Sequence, residues 1–234
     1  MQGDAAAARA GGICDSTKSD PANGATLTCA LAYRRRGWLL LPCRRGYKHP
    51  LVSRGFHAAT TDEAQIRDWC RRWRRALFGV PTGRAGAGVV VLDIDVKRAK
   101  VNGFDTLAEL WQAILPETPM VCAPSGGLHV YADPGERSIR NTAGSGGRGV
   151  GRGLDVRGDC GYVIVPSPGT GYEWDPVYQL DSVPFAPAPD GLVAPTLEQQ
   201  RAAACPLLPS EGPTDDGQWA LSPRGRAHAG RIKD

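Results

Sequence analysis

The stretch GVVVLDIDV, residues 88–96, constrains the fold more than any other part of the chain. Val89, Val90, Val91, Leu92 and Ile94 form a run that is apolar on both faces, the pattern of a strand covered on two sides, yet Asp93 and Asp95 interrupt it. Side chains alternate along a strand, so the two aspartates project from one face and Leu92 and Ile94 from the other. Carboxylates this close repel each other and lose hydration when covered, so a stable arrangement needs a shared proton or cation. All-oxygen donors match Mg²⁺ or Mn²⁺. The competing reading is an edge strand whose two carboxylates are simply solvated; the four-residue apolar run argues for a central strand instead.

The rest of the chain bounds what this strand belongs to. At 234 residues with 41% apolar content, the material suffices for one sizeable core. Three regions are expected: a disordered leader over 1–22, an ordered domain over 23–182 and a Pro/Ala-rich tail over 183–234. The net charge of +4 permits a polyanionic partner without demanding one. Seven cysteines with no C-x-x-C pair argue against a disulfide framework and against a cysteine-built zinc site, so no zinc and a cytoplasmic location are expected. GWLLLP is too short to span a bilayer, and the N-terminal twenty residues lack a signal-peptide core, so no membrane partner is expected.

Apolar spacing predicts a helix over 25–36 with Gly37 as its C′ residue, and a short buried strand at WLLLP. A second helix is predicted from Thr60 and Glu63 at capping-box spacing, with Ile66, Trp69, Cys70, Trp73, Ala76 and Leu77 on its inner face. A third carries Phe104 and Leu107 inward. MVCAPSGGLHVYAD reads as a hairpin turned by Pro124, Gly126 and Gly127, LDVRGDCGYVIVPS as a further strand pair, and YEW as the last regular piece. Helices and strands alternate early and strands predominate later, which predicts a mixed α+β sheet domain.

Three further groups carry chemistry. In PSGGLH, Ser125 and the bare glycine N–H groups suit the approach of a phosphate, and His129 emerges on the following strand; a lone histidine is otherwise a structural one. In GLDVRG, Asp155 interrupts Leu154 and Val156 with Arg157 on the same face, for which an Asp–Arg salt bridge is the plain alternative. Three strand-borne carboxylates, a histidine after a small-residue turn and glycine-flanked arginines are what two-metal phosphoryl or nucleotidyl transfer requires.

In this order the motifs resemble the bifunctional primase/polymerase domain of the archaeo-eukaryotic primase superfamily, over about 25–174. RGWLLLPC and YKHPL are similar to that family's opening strand and lysine loop, and GFHAATTDEAQIRDW to the helix after it. VPTGRAGAGVVVLDIDV, PSGGLH and GLDVRGDCGYVIVPSP are similar to its first, second and third catalytic motifs. The resemblance implies an RRM-like catalytic sheet module beside a smaller α/β module. It implies that Asp93, Asp95 and Asp155 bind the metals, that Ser125 and His129 contact the nucleotide's phosphates, and that Lys48 and Arg157 are secondary triphosphate contacts. The implied activity is primer synthesis or extension on a single-stranded DNA template from NTPs or dNTPs, with unwinding by a separate helicase, as a phage or other mobile element would arrange it. Template contact is expected at Arg148 and Arg152 in the glycine-rich loop GSGGRGVGRG, in preference to the YRRRG and RRWRR runs. Two competitors are a non-catalytic RRM-like nucleic-acid-binding module of replication initiation, and a phosphohydrolase built on the same D-x-D strand.

Overall fold

The computed structural model describes residues 21–97, 101–111, 115–142 and 150–190. Helix α1, Pro21–Arg35, starts on a proline whose fixed φ suits a first helical position. It ends as expected at Gly37, whose φ of 80° lets its N–H reach the Arg34 carbonyl and that of Trp38 reach Tyr33. Strand β1 (Leu41–Cys43), a 3-10 turn (Gly55–Ala58) and helix α2 (Glu63–Arg72) follow. The cap of α2 is Asp62, whose carboxylate accepts from the Ala64 N–H, while Thr60 accepts from Asp62; the expected Thr60–Glu63 box is thereby corrected.

The helix also stops earlier than its apolar period predicts. Trp73 leaves helical geometry, and Leu77 opens β2 (Leu77–Pro81), buried at all five positions. A short apolar run reads alike as helix or strand until its neighbours are known; here β2 lies between β1 and β9 (Tyr162–Ile164) in a three-stranded antiparallel sheet.

The second sheet is built from β3 (Val90–Ile94), β6 (Met120–Cys122), β7 (Leu128–Ala132), β8 (Leu154–Arg157) and β10 (Glu173–Trp174). Its order is β10-β6-β7-β3-β8, all antiparallel. A two-stranded ribbon, β4 (Val96–Lys97) with β5 (Val101–Asn102), leads into helix α3, Gly103–Trp111. The expected β8–β9 hairpin is not formed: the two strands go to different sheets. Between them Gly158 passes so close to the Ile139 carbonyl that a Cβ would lie 1.9 Å from it.

β3 is flanked on both sides, so the edge-strand reading of its aspartates fails. Its Val90, Leu92 and Ile94 face one core with Leu107, Val130, Leu154 and Val156. Val89 and Val91 face the other, which takes in α1, α2 and the three-stranded sheet. An aromatic series joins α1 to this second face: Tyr33 stacks on Trp38 at 5.6 Å, Trp38 on Tyr131 at 6.2 Å, and Tyr131 meets Trp174 at 5.3 Å. The Trp174 indole N–H donates to the Tyr33 hydroxyl, which donates to the Pro166 carbonyl.

Past Val183 the chain keeps packing. Ala186 N–H donates to Thr118, Ala188 is buried, and Phe185 lies against the first core. Cys29, Cys43, Cys70 and Cys122 are free thiols. No helix among the described residues is long and apolar enough to cross a membrane.

Candidate active site

Strand register sets the site. Across the five strands Trp174 stands opposite Val121, Val121 opposite His129, His129 opposite Asp93 and Asp93 opposite Asp155. Residues opposite one another share a face, so one lateral row carries an indole, an imidazole and two carboxylates. Asp93 is 8% exposed because Val91 before it belongs to the packed half of the face.

Asp93 holds the centre. Its Oδ2 accepts from Arg157 Nε at 3.1 Å and Nη2 at 2.7 Å, and His129 Nε2 is 3.6 Å from Oδ1. The sequence reading put Arg157 beside Asp155; the structure pairs it with Asp93, because the guanidinium reaches diagonally from β8 to β3. Asp155 is left with a carboxyl pushed up from its usual range, first by burial and then by Asp93 and Asp95, against the pull of Arg157. Burial pushes the His129 imidazole down and so favours the neutral ring, opposed by Asp93. Its Nδ1 and the Tyr131 hydroxyl, both on this face, are buried without a hydrogen-bond partner.

Asp95 lies one residue past β3 and is fixed through its backbone. Its N–H donates to the Gly153 carbonyl and its carbonyl accepts from Gly103 N–H. Gly103 and Gly153 touch: a Cβ on Gly103 would sit 2.4 Å from the Gly153 carbonyl oxygen, and Gly153 has φ 78°. Only glycine fits both places, so the acid is positioned by a contact no side chain makes. Lys97 Nζ is 2.9 Å from Asp95 Oδ2, and this bond holds the ammonium pKa up. The sequence reading missed Lys97, although the alternation that aligns 93 with 95 extends to 97.

The PSGG turn stands beside the same strand end. Ala123 N–H donates to the Gly127 carbonyl and Gly126 N–H to the Ala123 carbonyl, with Ser125 exposed at the tip. A Cβ on Gly127 would lie 2.4 Å from the Ile94 carbonyl oxygen, whereas one on Gly126 would meet nothing within 4 Å. Gly127→Ala is therefore expected to cost about 2 to 3 kcal/mol by overpacking and Gly126→Ala about 1 kcal/mol through its left-handed backbone alone. Urea denaturation of the two variants measures the difference.

Lys48 arrives from the first half of the chain. Its Nζ lies 5.3 Å from the Tyr172 ring, which is 5.5 Å from the His129 ring. Tyr172 and Trp174 belong to the last regular piece, YEW, but only tertiary packing brings them to the site. Arg152 precedes β8, its carbonyl accepting from Thr106; Arg148 lies outside the described residues. Among the described residues no group of three or more His, Cys, Asp and Glu side chains has metal-holding spacing.

Antiparallel sheets with few helices make this an α+β domain, with His129, Asp93 and Asp155 level on one sheet face. The family model for the bifunctional DNA primase/polymerase N-terminal domain matches residues 30–191, and the chain belongs to that family. Membership places it among nucleotidyltransferase-type enzymes of the DNA primase/polymerase class. No curated protein matches the chain.

Proposed function

We propose that the protein is a metal-dependent nucleotidyltransferase that synthesises or extends primers on single-stranded DNA, using NTPs or dNTPs. The observation that carries this reading is the row His129–Asp93–Asp155 on three adjacent strands, with Asp95 pinned just past the end of the middle one.

The all-oxygen chemistry of Asp93, Asp95 and Asp155 suits Mg²⁺ or Mn²⁺, although the three do not stand at metal-holding spacing while Arg157 holds Asp93 and Lys97 holds Asp95. Burial, with Asp93 and Asp95 beside it, raises the Asp155 pKa, a setting in which added positive charge favours the carboxylate, and hard divalent cations commonly take one or two carboxylates and complete their shell with substrate phosphates and water. Asp93, Asp95 and Asp155 would hold the metals, which when bound neutralise phosphate charge and acidify an attacking hydroxyl. Lys97, 66% exposed, is free to leave Asp95 and return to solvent. Arg157 orients Asp93 through two hydrogen bonds while its own charge faces the phosphates. His129 in its neutral form offers a hydrogen bond rather than a charge. Ser125, exposed at the tip of its turn, contacts the triphosphate, and Lys48 reaches it over Tyr172. The RRM-like description of the five-stranded sheet and a separate helicase partner belong to this same reading.

Unprimed and primed single-stranded DNA, labelled NTPs or dNTPs and Mn²⁺ make the test, read on a gel. Products longer than the substrate, with pyrophosphate released, are expected. Release of inorganic phosphate alone identifies a phosphohydrolase, and DNA binding without incorporation identifies a non-catalytic module; either overturns the proposal.

A further inference from the structure

We propose that the Arg44–His49 turn is a contact site for single-stranded nucleic acid, with the Tyr47 ring as stacking platform for one unpaired base and Arg44 for the adjoining phosphate. It deepens the primer-synthesis reading, on which it rests, by stating where the template touches.

Tyr47 is 72% exposed, one of two large hydrophobic side chains so exposed among the described residues. The turn that carries it is stiff. Arg44 N–H donates to the His49 carbonyl at 2.7 Å and Lys48 N–H to the Arg44 carbonyl at 2.8 Å, above a bridge between Cys43 and Pro50. Arg45 binds the carbonyls of Arg75 and Gly169, and the Tyr162 hydroxyl donates to the Lys48 carbonyl. Gly46 has φ 86° and Lys48 φ 60°; a left-handed lysine is a strained conformation that surrounding structure must enforce. A ring displayed to solvent on a braced turn loses little entropy when it takes a ligand.

Charge identifies the ligand. Residues 21–61 contain seven Lys and Arg and no Asp or Glu, and residues 21–81 carry twelve against three, a net +9 in a chain whose total is +4. The Arg44 guanidinium lies 6.0 Å from the Tyr47 ring centroid. An aromatic face beside cations, in a region poor in carboxylates, fits stacked bases on a phosphate backbone. A duplex keeps its base faces covered, so the ring selects a single strand. Position agrees: the next residue, Lys48, turns inward to Tyr172 and through it to His129 and Asp93. One turn thus faces the site with its lysine and the solvent with its tyrosine.

The full chain, its Tyr47→Ala, Tyr47→Trp and Arg44→Ala variants, and fluorescein-labelled oligo-dT provide the test, by anisotropy across a salt series without nucleotide. Tyr47→Ala is expected to weaken binding about tenfold with its salt slope unchanged, and Arg44→Ala to reduce that slope by roughly one. Tyr47→Trp should bind like the parent and gain fluorescence that single-stranded DNA quenches and duplex DNA does not. Parent-like binding by Tyr47→Ala overturns the proposal, as does unchanged fluorescence of Tyr47→Trp on saturation with oligo-dT. Incorporation measured in parallel separates the two readings. A parent protein that binds through Tyr47 without incorporating nucleotide keeps the platform and loses the catalytic assignment; one that incorporates while Tyr47→Ala binds normally does the reverse.

Discussion

Replacing Asp93 and Asp95 together by alanine is expected to remove nucleotide incorporation while the protein still folds. On the proposed reading both acids hold the divalent cation that meets the substrate's triphosphate, and losing even one preorganised electrostatic group in a water-poor site costs at least about a hundredfold in rate. The fold should survive because the partner left behind, Arg157, is 28% exposed and can turn its guanidinium to water. Asp93→Asn with Asp95→Asn separates charge from shape. The amides keep the volume and most of the hydrogen bonding, so equal inactivity assigns the effect to the carboxylate charge. Product formed per hour on a primed template is the measurement, and parent-like activity in the alanine pair would remove these acids from the mechanism.

Arg157→Ala should act on stability as well as activity. Asp93 is buried and accepts two N–H groups from this one guanidinium, so the variant leaves a covered carboxylate whose remaining neighbour is the His129 imidazole. Breaking a fully buried pair costs about 3 to 5 kcal/mol; partial exposure of Arg157 places the expected loss nearer 2 to 3 kcal/mol. Chemical denaturation in a chelating buffer measures it. Added Mn²⁺ is expected to stabilise Arg157→Ala more than the parent, because a cation at Asp93 then replaces the missing charge. Equal stabilisation of the two proteins would mean that Asp93 does not take the metal.

Local patterns explain which parts of this architecture could be read from sequence. Gly37 ends α1 as its position after an apolar helix demands, and the PSGG turn makes its hairpin, because both depend on a few adjacent residues. Alternation put Asp93 and Asp95 on one face. Where the outcome depended on pairing, sequence misled. Leu77 continued a helical period but joined a strand held between two others, and β8 and β9, adjacent in the chain, were drawn to separate sheets by partners far away in it. Arg157 was matched with Asp155, two residues off, although its contact is 64 residues away.

By itself, then, the order of residues determined that an apolar strand carries a carboxylate at Asp93 and ends beside a second at Asp95, because a continuous apolar run marks a strand covered on both faces. Tertiary structure alone decided that His129 and Asp155 lie level with Asp93, that Lys48 comes within reach over Tyr172, and that two glycines lock Asp95 in place. Register between strands is a property of pairs, set by long-range hydrogen bonding and by the packing of both sheet faces; no single segment encodes it.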